Sequence, residues 1–191
     1  MTSLVILDRD GVINKDSFAH IKSPEEVEFI SGSIEAIVHL SIHGYYIAVA
    51  TNQSGVARGL YDEYQLSLIH QKIITSVAKA GGKIDWIVYC PHLPSANCNC
   101  RKPKPGMLHR IAQHFRCNLS KVPFIGDRIS DIQAAIAAQA IPIHIDSDMS
   151  EKEQIKECYP NVPVFSSLWD CVQNGMPPII PPMHLLKNMR S

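Results

Sequence analysis

Five short apolar runs recur along the chain: "SLVIL" (3–7), "YYIAVA" (45–50), "IDWIVYC" (84–90), "VPFIG" (122–126) and "IPIHI" (141–145). They are rich in β-branched residues and continuous rather than alternating, so they read as strands buried on both faces. Between them, apolar residues fall at helical spacing: Ile34, Ile37, Val38 and Leu40; Leu66, Ile69, Ile73, Ile74 and Val77; Leu108, Ile111, Ala112 and Phe115; Ile132, Ala135 and Ile136. Gly44 and Gly81-Gly82 stand where helices close, and Ser130 or Asp131 where one opens. Strand alternating with helix at this rhythm specifies an α/β fold, a parallel sheet covered on both faces. Sheets of that kind carry their working residues at the C-terminal ends of the strands.

A chain of 191 residues suits one domain with a substantial core, here expected over residues 1–175. The remainder, 176–191, has two Pro-Pro pairs and reads as an extended appendage. With 18 basic and 18 acidic side chains in balance, no overall field favours nucleic acid or an anionic membrane surface. The start, "MTSLVILDRDGVIN", lacks the basic opening and long apolar middle of a secretory signal, and no run approaches the roughly 20 apolar residues of a membrane helix. The expected setting is the cytoplasm, where six cysteines are thiols or metal ligands rather than disulfides.

Reactive side chains follow four of the strands. Asp8 and Asp10 come after the first, Thr51 and Asn52 after the second, a cysteine-rich loop after the third and Asp127 after the fourth. The segment 14–31 is long for a strand-to-helix connection and is expected to form a flap over that edge. Two carboxylates this close can hold a hard cation such as Mg²⁺, or one can attack while the other moves protons. Asp131, one turn beyond Asp127, is either an outer support of such a site or a helix-start aspartate.

In the cysteine loop, Cys90-x-His92, five residues, then Cys98-x-Cys100 offers three thiolates and an imidazole. That set suits tetrahedral Zn²⁺ with no open coordination position, a structural rather than catalytic metal. Arg101 and Lys102 follow directly, so a zinc staple would fix the position of two cations that a free loop could not hold in place. Cys117, Cys158 and Cys171 are isolated, and the other eight histidines lack paired spacing.

In order and spacing, "LDRDG", Thr51 after an apolar strand, a lysine in mid-chain and "IGDRISD" resemble the four motifs of the haloacid dehalogenase superfamily of phosphatases, over residues 3–145. The resemblance implies a Rossmann-like single domain without a cap. It implies Asp8 as nucleophile, Asp10 as acid and then base, and Mg²⁺ on Asp8, Asp127 and the Asp10 backbone carbonyl. Thr51 and Lys102 would bind the transferring oxygens. The zinc motif running into "CRKP" resembles two groups of that superfamily, acting on heptose 1,7-bisphosphate and on histidinol phosphate. "TNQSGVARG" and "RKPKPGM" resemble the heptose group, whereas the histidinol enzymes carry an acidic residue where Ser54 stands. Matching positions place Asp16, Ser17, Phe18 and Ala19, and Thr51, Asn52, Gln53 and Ser54, against substrate. Arg58, Arg101 and Arg128 would suit a second phosphate. Arg128 stands where a heptose enzyme has lysine, which keeps the charge and leaves the sugar anomer open. A phosphorylated sugar is thus the expected partner, bound by a monomer, on the way to nucleotide-activated heptose.

Overall fold

The computed structural model describes residues 3–148 and 151–174, and the proline-rich segment 176–191 lies outside them. The five apolar runs form β1 (Leu4–Leu7), β2 (Tyr46–Asn52), β3 (Trp86–Cys90), β4 (Pro123–Gly126) and β5 (Ile141–Ile145). A short β6 (Val164–Phe165) completes one sheet in the order β3-β2-β1-β4-β5-β6, with every neighbouring pair parallel. Parallel neighbours need crossovers, and helices supply them: α1 (Ser33–Ile42), α2 (Glu63–Lys79), α3 (Gly106–Phe115), α4 (Ile129–Ala137), α5 (Lys152–Cys158) and α6 (Leu168–Asn174).

The side-chain period of two in a strand divides the core in two. Val5 and Leu7 of β1 join one cluster with Ile37 and Leu40 of α1, Ile69, Ile73 and Val77 of α2, and Leu168 of α6. Leu4 and Ile6 join the other, with Met107, Leu108 and Ile111 of α3 and Ala134 and Ala135 of α4. Both faces of β1 are therefore dry, which is why its sequence is continuously apolar.

Helix ends follow local chemistry. Asp62 opens α2 by accepting the Gln65 N–H at 2.7 Å, and left-handed Gly44 (φ 80°) and Gly81 (φ 92°) close α1 and α2. The start of α4 corrects the sequence expectation. The helix begins at Ile129 with Arg128 as its N-cap residue, because the Asp131 carboxylate reaches back to accept the Arg128 N–H at 3.0 Å. β6, α5 and α6 were not foreseen, for two residues of strand and seven of helix leave too little periodicity to read.

Residues 14–31 fold back on themselves. Lys15 N–H donates to the Glu28 carbonyl at 2.8 Å and Ile30 N–H to Ile13 at 3.1 Å, while Ile21 and Val27 are buried in the core. The base of the flap is thus sealed, and its tip presents Phe18 at 91% exposure.

Ile73→Ala should lower stability by about 2–5 kcal/mol in urea denaturation, from lost burial plus a cavity. Tyr64→Ala, on an exposed part of the same helix, should change it by less than about 0.5 kcal/mol.

Candidate active site

The strand order reverses direction at β1, which lies between β2 and β4, and a cleft opens at this switch point. Asp8 leaves the end of β1 with its N–H on the Ile125 carbonyl of β4 (2.8 Å), so Asp8 and Asp127 emerge side by side. The cleft, about 320 Å³, is walled by Asp8, Asp10, Thr51 to Ser54, Arg101, Lys102, Asp127 and Arg128, with Asp16, Ser17 and Phe18 from the flap. Arg58 and Ala19 do not form part of its wall, and both are exposed.

Asp8, Asp127 and Asp131 bring carboxylate oxygens within 4.8 Å of one another. Into this group comes Lys102, 3% exposed, with Nζ 2.9 Å from Asp8 Oδ1 and 2.6 Å from Asp131 Oδ1 while donating to the Ala50 carbonyl at 2.9 Å. Burial pulls the Lys102 pKa down, but Asp131 and Asp8 outweigh it and hold the ammonium charged. Three carboxylates against one ammonium, with only the Arg128 guanidinium 3.7 Å from Asp127 at the edge, leave the cluster short of positive charge. Burial pushes the Asp8 pKa well above its usual range, with Asp131 and Asp127 adding to it against Lys102. Asp127 is pushed up to about 7 by burial and then by Asp131.

Asp127 Oδ2 accepts from Ser147 Oγ at 2.8 Å, whereas its buried Oδ1 has no hydrogen-bond partner among the described residues. A buried anionic oxygen without a partner, in a group lacking positive charge, fits a hard divalent cation such as Mg²⁺. Gly11 (φ 80°) makes room for this arrangement, since a Cβ there would lie 2.0 Å from Asp127 Oδ2. Asp131 answers to both sequence readings: it caps α4 through one oxygen and contacts Lys102 through the other.

The side chain of Asp10 is in a different environment. Oδ1 accepts from Arg9 Nε (3.0 Å) and Asn14 Nδ2 (2.8 Å), and Oδ2 from Arg9 Nη2 (2.9 Å) and Gln53 Nε2 (2.8 Å). Burial would raise its pKa, but Arg9, Asn14 and Gln53 together outweigh burial and hold it below the usual carboxylate range. Gln53 also donates to Thr51 Oγ1 at 2.8 Å and is oriented by the Tyr61 hydroxyl at 2.8 Å. Arg9 is only 1% exposed and has His70 Nε2 at 3.4 Å. Burial, with Arg9 beside it, pulls His70 down to about 3, so the imidazole is neutral and free to accept.

Several residues expected at substrate also brace the site. Asn52 makes two reciprocal bonds of 3.1 Å to the Lys102 backbone, fixing the lysine's approach. Arg128 donates from Nη2 to Asp16 Oδ2 at 2.8 Å, joining α4 to the flap, and Arg101 donates to the His92 carbonyl at 3.2 Å. Lys104 is directed away from the cleft and holds Asn97, through its Oδ1 at 2.6 Å and carbonyl at 2.9 Å. Arg9, Asn14, Tyr61, His70 and Ser147 were missed in the sequence. Only Arg9 and Asn14 carried a signal there, their place within "DRDGVIN".

In the cysteine loop, the three Sγ atoms lie 3.3–3.6 Å apart, and His92 Nδ1 is 3.5 Å from Cys90 and 3.4 Å from Cys100. A tetrahedron with Zn–S of about 2.3 Å and Zn–N of about 2.0–2.1 Å has edges of about 3.6–3.8 Å, so the four groups suit zinc. Burial pushes the Cys90 thiol up to about 12. Cys98 is brought down to about 6: burial opposes this, but hydrogen bonds from Cys100, the Arg101 N–H and Cys90 prevail.

A sheet of this order with Asp8, Thr51, Lys102 and Asp127 converging on one cleft defines a hydrolase of the haloacid dehalogenase-like class, and the HAD-hydrolase-like family model matches residues 99–171. A Pseudomonas putida D-glycero-beta-D-manno-heptose-1,7-bisphosphate 7-phosphatase is 50% identical over 149 residues, covering 78% of this chain and 85% of that protein. The Pseudomonas aeruginosa protein of the same name is 52% identical over 141 residues, 74% of this chain and 79% of that one. The crystal structure of the D,D-heptose 1,7-bisphosphate phosphatase from B. bronchiseptica, complexed with magnesium and phosphate, has a TM-score of 0.86 and 38% identity, covering 98% of this chain and 99% of that one. The chain belongs to the heptose-1,7-bisphosphate 7-phosphatase family.

Two outcomes follow from the carboxylate cluster. Because the Asp127 pKa is raised on folding, the stability linked to it is present in full below about pH 4 and lost as pH rises through about 7. Asp127→Asn should therefore melt higher than the wild type in EDTA at pH 8, with the difference gone near pH 4. Gly11→Ala should displace Asp127 and abolish Mg²⁺ binding measured by calorimetry.

Proposed function

We propose that this protein hydrolyses the 7-phosphate of D-glycero-beta-D-manno-heptose 1,7-bisphosphate by way of a phosphorylated Asp8, in the supply of nucleotide-activated heptose. The observation that carries the reading is the Asp8 carboxylate, set at the β1 end beside Lys102 with Asp127 in the same cluster. Asp8 Oδ1 is fixed by the Arg9 N–H (2.7 Å) and Lys102, which leaves Oδ2 without a competing hydrogen bond among the described residues.

Asp8 attacks phosphorus while the Lys102 ammonium and the Thr51 hydroxyl stabilise the equatorial oxygens. As the ester bond breaks, the leaving sugar oxygen takes a proton from Asp10. Asp10 then removes a proton from the water that attacks the aspartyl phosphate, returning Asp8 as a carboxylate and releasing phosphate. Four donors favour ionised Asp10 at rest, and the negative charge of the incoming phosphate raises its affinity for the proton it must deliver. Asp8, Asp127 and the Asp10 carbonyl would hold Mg²⁺, with Asp131 in the same cluster, and the ion supplies positive charge against phosphate–carboxylate repulsion. Cys90, His92, Cys98 and Cys100 would hold Zn²⁺, which staples the loop that delivers Arg101 and Lys102.

At the distal end, Arg101 and Arg128 on the cleft wall suit the second phosphate. The amine of histidinol phosphate would meet these cations unfavourably. The relatives at 50% and 52% identity are named for the beta anomer, the basis for choosing it here.

Phosphate release should be measured with Mg²⁺ from both anomers of the bisphosphate and from histidinol phosphate. The beta bisphosphate should turn over fastest, with Asp8→Asn inactive; faster turnover of histidinol phosphate would reverse the assignment. Cys98→Ser should lose zinc, by metal analysis, and lower turnover on the order of 100-fold through misplacement of Lys102. Wild-type turnover without zinc would show that the staple does not aim the lysine.

A further inference from the structure

The loop that follows β5 reaches into the site although no motif marks it. Ser147 Oγ donates to Asp127 Oδ2 at 2.8 Å, and Arg128 Nε lies 3.7 Å from the same oxygen. Glu151, at the start of α5, accepts the Ile129 N–H at 2.7 Å, holding the first residue of α4. Lys152 pairs with Asp146, so the loop is tied at its far side as well. The turn between β4 and α4 carries Asp127 and the first turn of α4 carries Asp131, two of the three clustered carboxylates, and this loop holds that junction from the flank.

The two oxygens of Asp127 are consequently unlike. Oδ2 is engaged by Ser147, while Oδ1 is buried without a partner among the described residues. A carboxylate with one oxygen hydrogen-bonded cannot rotate freely, so its other oxygen points in one direction. Groups that orient a ligand in this way contribute to metal affinity without touching the metal.

We infer that Ser147 is a positioning residue for the divalent cation: its hydroxyl occupies one oxygen of Asp127 so that the other is presented to the ion, and Glu151 steadies the turn that carries it. This rests on the reading that Asp8 and Asp127 hold Mg²⁺.

The test titrates Mg²⁺ into the full-length protein by calorimetry and, separately, follows phosphate release against Mg²⁺ concentration, with melting in EDTA as a control of fold. Ser147→Ala should weaken Mg²⁺ binding about 10- to 100-fold, with turnover restored to within about twofold at saturating Mg²⁺. Ser147→Thr, which keeps the hydroxyl, should bind like the wild type, and Glu151→Ala should weaken binding a few-fold. Unchanged Mg²⁺ affinity in Ser147→Ala would overturn the inference, as would a loss of turnover that added Mg²⁺ does not restore. If the wild type itself takes up no Mg²⁺, the metal assignment fails instead, a result distinct from either.

Discussion

The ammonium of Lys102, enclosed between Asp8 and Asp131 and resting on the Ala50 carbonyl, is the interaction on which the site depends. Taking a charge out of water costs several kcal/mol, and the cost is tolerated only where partners surround it closely. Much of the neighbouring geometry can be read as meeting that demand. Asn52 fixes the backbone from which the lysine extends, β2 delivers the carbonyl it donates to, and the α4 turn delivers Asp131. In the proposed reaction the same enclosure would make the lysine useful, since a charge held in a dry pocket needs no solvent reorganisation when a phosphoryl group arrives.

Beside it stands a second enclosed charge with a different purpose. Arg9 is almost wholly buried, clasps both oxygens of Asp10, and is backed by a neutral His70. Successive residues of "DRDG" therefore serve separate electrostatic environments. Asp8 belongs to a group with more carboxylates than cations, and Asp10 to one where both oxygens accept two hydrogen bonds each. Two carboxylates two positions apart are thus given opposite tendencies toward protons by the side chains around them.

The fold was legible in the sequence wherever periodicity ran long enough. Continuous apolar strands and α2, with Leu66, Ile69, Ile73 and Val77 on one face, leave little choice of architecture. β6 and α6 were invisible because their places are decided by pairing with β5 and by packing on α1 rather than by local pattern, as the edge contact of Trp169 in α6 with His39 illustrates. The site divides in the same way. Asp8, Thr51 and Asp127 could be placed from strand ends, and Lys102 from the cysteine loop and the family resemblance, and all four line the cleft. His70 reaches Arg9 across 61 positions and Ser147 reaches Asp127 across 20, relations that no local spacing encodes. Lys104, which stood beside a candidate catalytic lysine, belongs to the zinc loop through Asn97.

The sealed base of the flap sets how much of the protein must respond to a substrate. With Ile21 and Val27 in the core, Asn14 bonded to Asp10, Lys15 to Glu28 and Asp16 to Arg128, the part of the flap facing the cleft is a short tip around Ser17 and Phe18. Ordering a residue's backbone costs about 1–2 kcal/mol in entropy, so holding this segment against a ligand draws on a handful of residues rather than on the closure of a domain. Under the proposed function recognition at this cleft is correspondingly local: selectivity would come from the charges already fixed in its wall, with little binding energy diverted into rearranging the enzyme.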